Sequence, residues 1–326
     1  RDRGELDLAE QLARTSDGPV MMCLIQHGPD PDEWKQVLEK LAEVRAGGAE
    51  VLAQCTGRSV CTMAGFATKF NPFAHGPSWD ELAPLPLHEI ARRIQTDSDL
   101  RGRLLAEADE TRSIWQARKL DENRTFPLVP PGGEAPQYEP TESVAAIGAR
   151  TGRTGIEVML DVMCEDAGQG LLNYPHYNFI QGNLDAVRAM VTDPGVRIGL
   201  SDAGAHLETI SDASLHTFML THWARDREDG IALEEVVRKM TSETAAVFGL
   251  DDRGVIAPGR RADINVIDLA ALQLGRPWLA HDVPPDGARL LQRATGYRYT
   301  IVAGDITFVD GEHTGALPGR LVRRRR

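Results

Sequence analysis

The sequence has few cysteines and no recognisable spacing among them. Its 326 residues include four, Cys23, Cys55, Cys61 and Cys164, without a CxxC pair and without the density of a disulfide framework. This scarcity argues against a small secreted disulfide scaffold. A reducing, cytoplasmic setting is therefore predicted.

Membrane and nucleic-acid signals are also missing. No apolar run approaches the length of a membrane span, and the charged residues 1–5 do not resemble a signal peptide. The formal net charge of −12 argues against nucleic acid or an anionic membrane as the main partner. The one basic run, residues 323–326, is interpreted as a solvated tail.

Three common catalytic motifs are absent. The sequence contains no P-loop, no dinucleotide-binding glycine fingerprint and no Gly-x-Ser-x-Gly elbow. These absences argue against nucleotide-binding enzymes and serine hydrolases. The remaining composition, 42% hydrophobic and 26% charged, is that of an ordinary globular protein with one large domain or a large and a small one.

The first part of the chain shows an α/β pattern. Residues 19–26 form an apolar run of strand length, and Asp32 precedes a helical pattern that continues to about residue 46. Residues 50–54 are typical of a second strand. Strand, helix and strand at this spacing predict a parallel β/α unit.

Two later segments suggest the domain boundaries. Between residues 70 and 138 the pattern loosens around several prolines, with one helix expected over residues 87–108. This stretch is either a lid or a structural insertion. Beyond residue 250 short β-prone segments alternate with Gly turns. We therefore expect an α/β domain over residues 1–250, with an insertion at about 70–138, and an accessory β domain with a tail over residues 251–326.

Asp202 is the strongest candidate for chemistry. It follows the apolar run 196–200, and Gly204 supplies a turn two residues later. A carboxylate at the carboxyl end of a strand can bind a divalent metal or act as a general base. Considered alone, the segment favours a simpler role as a turn-capping aspartate. His206, four residues on, could hold Asp202, bind metal or contact substrate, or could be an ordinary loop histidine.

Further candidates follow earlier strands. His27 closes the first apolar run, where a metal-binding role is one alternative. Arg58 follows the second strand and could clamp a substrate carboxylate, although a structural ion pair is the safer interpretation. Residues 173–178, with Asn173 and Tyr174, are interpreted as a loop that lines a pocket or as a turn-rich connection.

Several segments together resemble one superfamily. The order of residues 199–206 (GLSDAGAH), 243–250 (ETAAVFGL) and 254–268 (GVIAPGRRADINVID) is similar to the end of amidohydrolase-superfamily enzymes. Residues 301–305 and 314–320 narrow the resemblance to the N-acyl-D-amino-acid deacylase, D-aminoacylase-like, branch. The resemblance is strong over residues 171–320 and weaker over 19–108.

The resemblance implies a fold and an activity. The fold would be the later part of a (β/α)8 TIM-type barrel plus strands of a small accessory β-sandwich domain. The activity would be that of a metal-dependent hydrolase, usually of zinc, acting on the amide bond of a small N-acyl amino acid. A metal-bound water would attack the carbonyl, and Asp202 would take its proton and pass it to the leaving nitrogen.

The sequence departs from this family at its metal ligands. No His-x-His pair occurs anywhere, and the place of the family's Ser-His pair has Cys23-Leu24, with His27 slightly later. We therefore expect a C-terminal portion whose activity needs a preceding part. The alternatives are an inactive structural or binding module, or an amidohydrolase of cyclic amides.

A half barrel would expose strand edges, so the chain is expected to be unstable alone or to pair, and a homo-oligomer is left open.

Overall fold

The computed structural model describes residues 3–16, 18–110, 120–199, 201–202, 205–210, 212–284 and 287–322. Helices and strands alternate through these ranges, so the expected mixed α/β class is confirmed. No helix within them is both long and apolar enough to cross a bilayer. The tail at 323–326 and the glycine turn at Gly204 are sequence expectations that lie outside the described residues.

The helices in chain order are α1 (Arg3–Thr15), α2 (Glu33–Ala46), α3 (Pro77–Asp80), α4 (Leu87–Thr96), α5 (Ser98–Glu110), α6 (Val144–Thr151), α7 (Gly155–Gly168), α8 (Asp185–Thr192), α9 (Leu215–Phe218), α10 (Leu233–Arg238) and α11 (Thr244–Val247). Two π-helical segments, Met219–Asp226 and Lys239–Glu243, continue α9 and α10, and a 3₁₀ turn covers Glu122–Arg124.

The strands in chain order are β1 (Val20–Cys23), β2 (Val51–Cys55), β3 (Val60–Ala64), β4 (Phe126–Pro127), β5 (Leu172–Tyr177), β6 (Val196–Ile198), β7 (Ile264–Ile267), β8 (Gln273–Leu274), β9 (Trp278–Val283), β10 (Gly287–Leu291), β11 (Ala294–Thr295), β12 (Tyr297–Val302), β13 (Asp305–Val309) and β14 (Glu312–His313). They pair into small sheets, one of them entirely parallel.

The parallel sheet has the order β1-β2-β6. Helix α2 joins β1 to β2, and its buried face carries Trp34, Val37, Leu41 and Val44. This spacing places apolar side chains on one side of the helix, where they pack in the same core as the strands. The strand–helix–strand unit expected from the sequence is therefore confirmed.

A second sheet has the antiparallel order β3-β5-β4. The central strand β5 includes residues 173–177, so the interpretation of residues 173–178 as a loop is wrong. Pro175 lacks a backbone donor, and it lies opposite Cys61 where the β3–β5 register shifts. Because this irregularity accommodates the proline, the polar segment still forms a strand, and Asn173 and Tyr174 lie on it.

Helices α4 to α7 form a second hydrophobic core, separate from the core around the parallel sheet. The single helix expected over residues 87–108 is wrong, because the chain is extended at Asp97 and divides into α4 and α5. The Asp97 carboxylate accepts from the Leu100 N–H at 2.9 Å. Asp97 therefore caps the start of α5, a role that aspartate favours over a place inside a helix.

The C-terminal part contains an antiparallel sheet of order β14-β13-β12-β7. Two-residue turns join β12 to β13 at Ala303-Gly304 and β13 to β14 at Asp310-Gly311, and all four residues have positive φ. Such turns match the right-handed twist of hairpin strands. The Gly turn signals seen in the sequence are therefore confirmed.

Candidate functional site

Asp202 lies just beyond the carboxyl end of β6. The Gly199 N–H donates to the Cys55 carbonyl at 3.0 Å, so the pairing with β2 continues one residue past the strand. The chain then turns, and the Ala205 N–H donates to the Asp202 carbonyl at 3.0 Å. The Asp202 residue is exposed. Its carboxylate therefore lies beyond the carboxyl ends of the parallel strands, where ligands bind in α/β proteins.

Asp212 fixes this turn, and the sequence analysis missed it. Its carboxylate accepts one hydrogen bond from Ser201 Oγ and one from the Asp202 N–H, each at 2.8 Å. Asp212 is only 1% exposed. The sequence carries no local signal for this contact, because it joins residues ten apart in the chain.

His206 lies on the loop that follows. Its carbonyl accepts from the Thr209 and Ile210 N–H groups, both at 3.0 Å, and its residue is exposed. A hydrogen bond connects this loop to β3, because the Met63 N–H donates to the Thr209 carbonyl at 2.8 Å. Within the described part of the chain, no hydrogen bond joins the His206 ring to Asp202. His206 thus lies near Asp202 in sequence and faces solvent.

His27 has a different neighbour. It lies between β1 and α2, and its Nε2 contacts the Glu33 carboxylate at the start of α2. The Gln26 N–H before it donates to Asn178 Oδ1 at 2.8 Å, which ties this connection to the end of β5. No ion pair or hydrogen bond between His27 and Asp202 occurs in the described ranges. The two predicted metal ligands are therefore not brought into contact.

The described residues do not complete a metal site. Among them, no group of three or more His, Cys, Asp and Glu side chains is arranged to hold an ion. Zinc sites in enzymes use three protein ligands. Asp202 offers an exposed carboxylate, and His27 would first have to leave Glu33. The donor set thus fits only part of the centre that the resemblance implies.

Arg58 is enclosed. It is 0% exposed, and its guanidinium carbon lies 3.6 Å from the centroid of the Tyr138 ring. Its Nη1 donates to Ser214 Oγ at 2.9 Å. No carboxylate pairs with it among the described residues. The structural ion pair considered from the sequence is therefore wrong, and cation–π stacking and a hydroxyl hold Arg58 instead.

Asn173 and Tyr174 are also buried. Both amide atoms of Asn173, Nδ2 and Oδ1, are enclosed, and in the parts of the chain described the Cys61 thiol is the polar neighbour that the amide interacts with. Such a group is costly unless something bonds it. The Tyr174 ring contacts the His176 ring at 4.9 Å between centroids, and burial raises the pKa of its hydroxyl. The Asn173 amide thus keeps hydrogen-bonding capacity that the Cys61 thiol alone does not fill.

Three of the four cysteines are poor nucleophiles. None of the four forms a disulfide, and burial raises the pKa of Cys55 and Cys61, with a smaller opposing effect of Arg58 on Cys61. Burial also raises the pKa of Cys164 to about 12. A thiol with a raised pKa stays protonated at neutral pH, and the thiol is a poor nucleophile. Asp202 and His206 are exposed acid–base groups beyond the end of β6.

One family model covers most of the chain. The model described as "Amidohydrolase family" matches residues 3–308. An uncharacterized protein of Mycobacterium tuberculosis is 26% identical over 184 residues, which are 53% of this chain and 29% of that protein. An allantoinase of Streptomyces avermitilis is 32% identical over 111 residues, covering 31% of this chain and 23% of the allantoinase.

A solved structure gives the fold likeness. A D-aminoacylase variant in complex with CuCl2 matches with a TM-score of 0.51 and 19% identity, covering 99% of this chain and 53% of that chain. At this identity the likeness concerns the fold alone. The chain spans about half the length of that D-aminoacylase and under a third of the curated relatives above.

Proposed function

This chain belongs to the amidohydrolase family, and on that premise we propose that it is part of a hydrolase acting on C–N amide bonds of N-acyl amino acids. One observation carries the proposal. Asp202 presents an exposed carboxylate at the carboxyl edge of the parallel sheet, held there by the buried Asp212. This is the position of a general base at a strand end.

The proposed chemistry uses Asp202 as base and then as acid. Its carboxylate accepts a proton from water as the water oxygen attacks the amide carbon. The C–N bond then breaks, and Asp202 returns the proton to the leaving nitrogen, which departs as an amine. The products are a carboxylic acid and a free amino acid, and the Asp202 carboxylate is regenerated.

The proposal includes a divalent metal, zinc in the simplest case, although the described residues supply only part of its ligands. When bound, such an ion polarises the amide carbonyl as a Lewis acid. Asp202 would be one ligand, and His27 a second if it turned away from Glu33. Further ligands would have to come from outside the described residues. No catalytic step is therefore derived through the metal.

The proposed substrate contacts differ in access. His206 is exposed and needs no movement to meet a ligand. Arg58, Asn173 and Tyr174 are buried, so they would contact substrate only after a rearrangement of the surrounding loops. Among these three, Asn173 supports this role best, because its amide has hydrogen-bonding capacity beyond the Cys61 thiol and can donate to one polar atom of a ligand and accept from another.

We also propose the finer domain organisation. The parallel order β1-β2-β6 supports residues 1–250 as the later part of a (β/α)8 barrel. Helices α4 and α5 lie in residues 70–138, which we propose to be an insertion, and they pack in one core with α6 and α7 that follow it. The antiparallel strands after residue 250 support an accessory β domain over 251–326. Four cysteines without a disulfide support the cytoplasm as its proposed location.

The test of the function is Asp202→Asn in the complete protein. Asparagine keeps the size of the side chain but cannot accept the proton, so kcat should fall by about 10²- to 10⁴-fold. Melting temperature should not change, because the side chain is exposed. Kinetics are measured on N-acyl-D- and N-acyl-L-amino acids. Asp282→Asn, which removes an exposed ion pair with Arg289, is the matched control.

Two outcomes would change the conclusion. Wild-type turnover in Asp202→Asn would exclude Asp202 as the base. The incomplete donor set favours an inactive structural or binding module as the second candidate, and metal analysis of the complete protein decides between them. A stoichiometric metal supports the enzyme, and none supports the module. Because an allantoinase is among the relatives, cyclic amides belong in the substrate panel.

A further inference from the structure

Asp212 is an unusual buried acid. It is 1% exposed, and in the described ranges no Lys, Arg or His nitrogen lies within 4.0 Å of its carboxylate. Burying a carboxylate is costly unless hydrogen bonds replace its water. Its bonds go to Ser201 Oγ and the Asp202 N–H, both at 2.8 Å. Both oxygens of the buried carboxyl group therefore bond the turn that carries Asp202.

The segment around Asp212 is anchored on its other side as well. Ser214, two residues later, accepts from Arg58 Nη1 at 2.9 Å. Arg58 is itself immobilised against the Tyr138 ring, just after β2. A continuous set of contacts thus runs from the end of β2 through Arg58, Ser214 and Asp212 to Asp202. It connects the carboxyl ends of the two neighbouring strands β2 and β6.

We propose that Asp212 is a positioning residue whose carboxylate holds the Ser201–Asp202 backbone so that the Asp202 side chain is presented for proton transfer. The inference rests on the proposed function, in which Asp202 is the base. Asp212 does not touch the reacting atoms. It acts by restricting the turn, because both of its acceptor oxygens bond groups of the two residues at the turn.

Substitutions at Asp212 separate position from charge. Asp212→Ala removes both acceptors and leaves the Asp202 N–H without this partner. Asp212→Asn can keep both contacts, because its Oδ1 can accept from the Asp202 N–H while its Nδ2 donates to Ser201 Oγ. Ser201→Ala removes one contact and leaves the other. Asp282→Asn, in an exposed ion pair on β9, controls for the loss of an aspartate charge.

Steady-state kinetics of the complete protein should show a graded pattern. Asp212→Ala should lower kcat roughly 10- to 100-fold with KM unchanged, as is typical when a group that orients a catalytic residue is lost. Asp212→Asn should restore kcat to near the wild-type value, and Ser201→Ala should lie between. A purely structural role would instead lower the melting temperature while kcat per folded molecule stays constant.

Each result decides the proposal. Wild-type kcat per folded molecule in Asp212→Ala, or a kcat in Asp212→Asn as low as in Asp212→Ala, would overturn it. If Asp212→Ala does not fold, Ser201→Ala decides, and a wild-type kcat there overturns the proposal. The Asp202→Asn variant distinguishes the hypothesis that Asp202 is the base from the hypothesis that Asp212 positions it. Full activity in that variant refutes the base, whereas loss in Asp202→Asn with none in Asp212→Ala refutes only the positioning role.

Discussion

Single buried polar residues hold the candidate site together. Asn178 has φ +63° and sits where β5 ends. Its Oδ1 accepts from the Gln26 N–H, and its own N–H donates to the Gln26 carbonyl at 2.9 Å. Asparagine tolerates this left-handed conformation better than most residues. One residue therefore closes β5 and fixes the segment that leads to His27.

His176 on β5 should make stability depend on pH. Its Nε2 lies 2.5 Å from Thr62 Oγ1, and burial, assisted by Arg124, lowers the pKa of the ring. The folded state thus resists protonation more than the unfolded state does. As pH falls below about 6.5, the unfolded chain binds the proton first, and the free energy of unfolding decreases. Above that pH this contribution to stability is fully present.

Urea unfolding of wild type and His176→Gln between about pH 7.5 and 5 tests this. Glutamine can still bond Thr62 but does not titrate, so the loss of stability toward pH 5 should be smaller in the variant. It should not vanish, because burial also lowers the pKa of His216. His281→Gln, at an exposed position on β9, should follow wild type. Parallel curves for wild type and His176→Gln would contradict the prediction.

At the scale of elements, a buried lysine connects β6 to the helical layer, beside an ion pair between Arg197 of β6 and Glu243. Lys239 begins the π-helical segment after α10 and is 1% exposed. Its Nζ donates to the carbonyls of Asp193 and Val196, each at 3.3 Å, and lies 3.6 Å from the Glu243 carboxylate. Burial lowers the pKa of this ammonium group. The strand that leads to Asp202 is thereby fixed at its start.

Lys239→Met should release this end of β6. Methionine fills much of the space but removes two hydrogen bonds from a charged donor, which costs about 1 to 3 kcal/mol of unfolding free energy. The Asp193 carbonyl keeps the Val196 N–H as a donor, and the Val196 carbonyl keeps Arg197 Nη1. Amide hydrogen exchange in β6 should accelerate more than in β1. Lys35→Met, which breaks an exposed pair with Asp32, should change stability by less than about 1 kcal/mol. Equal free energies of unfolding for the two variants would show that the Lys239 contacts do not stabilise β6.

Elements with a local signal were predictable from the sequence, and those that depend on distant partners were not. Helix α2 has apolar residues at helical spacing, and the β12–β13 turn has a Gly at a positive-φ position. The strand β5 was missed because Pro175 and its polar neighbours resemble a loop until β3 and β4 pair with them. At the site, the place of Asp202 followed from local pattern. Its bond to Asp212 joins residues ten apart through a buried fold, and no local pattern specifies it.

The whole molecule exposes an apolar groove beside its C-terminal sheet. The groove has a volume of about 500 Å³, and its apolar lining comprises Leu220, Val237, Met240, Val255, Ile256, Ile264, Ile267 and Tyr297. Ile256 is 84% exposed and Val255 54%. The adjacent strand β7 lies at an edge of its sheet, so its outer backbone groups have no strand partner in the described structure. Exposed apolar surface next to an open strand edge favours association between chains.

The 326-residue chain should therefore self-associate, and Ile256→Lys should weaken this association. A lysine at the most exposed position of the groove places a charge where apolar contact would form, and charged side chains are a common protection of strand edges. Sedimentation velocity over a concentration series measures the effect. Leu12→Lys, the same kind of change on the exposed face of α1, should leave the association as in wild type. A monomeric wild-type chain throughout the series, or equal association of the two lysine variants, would refute the groove as the contact.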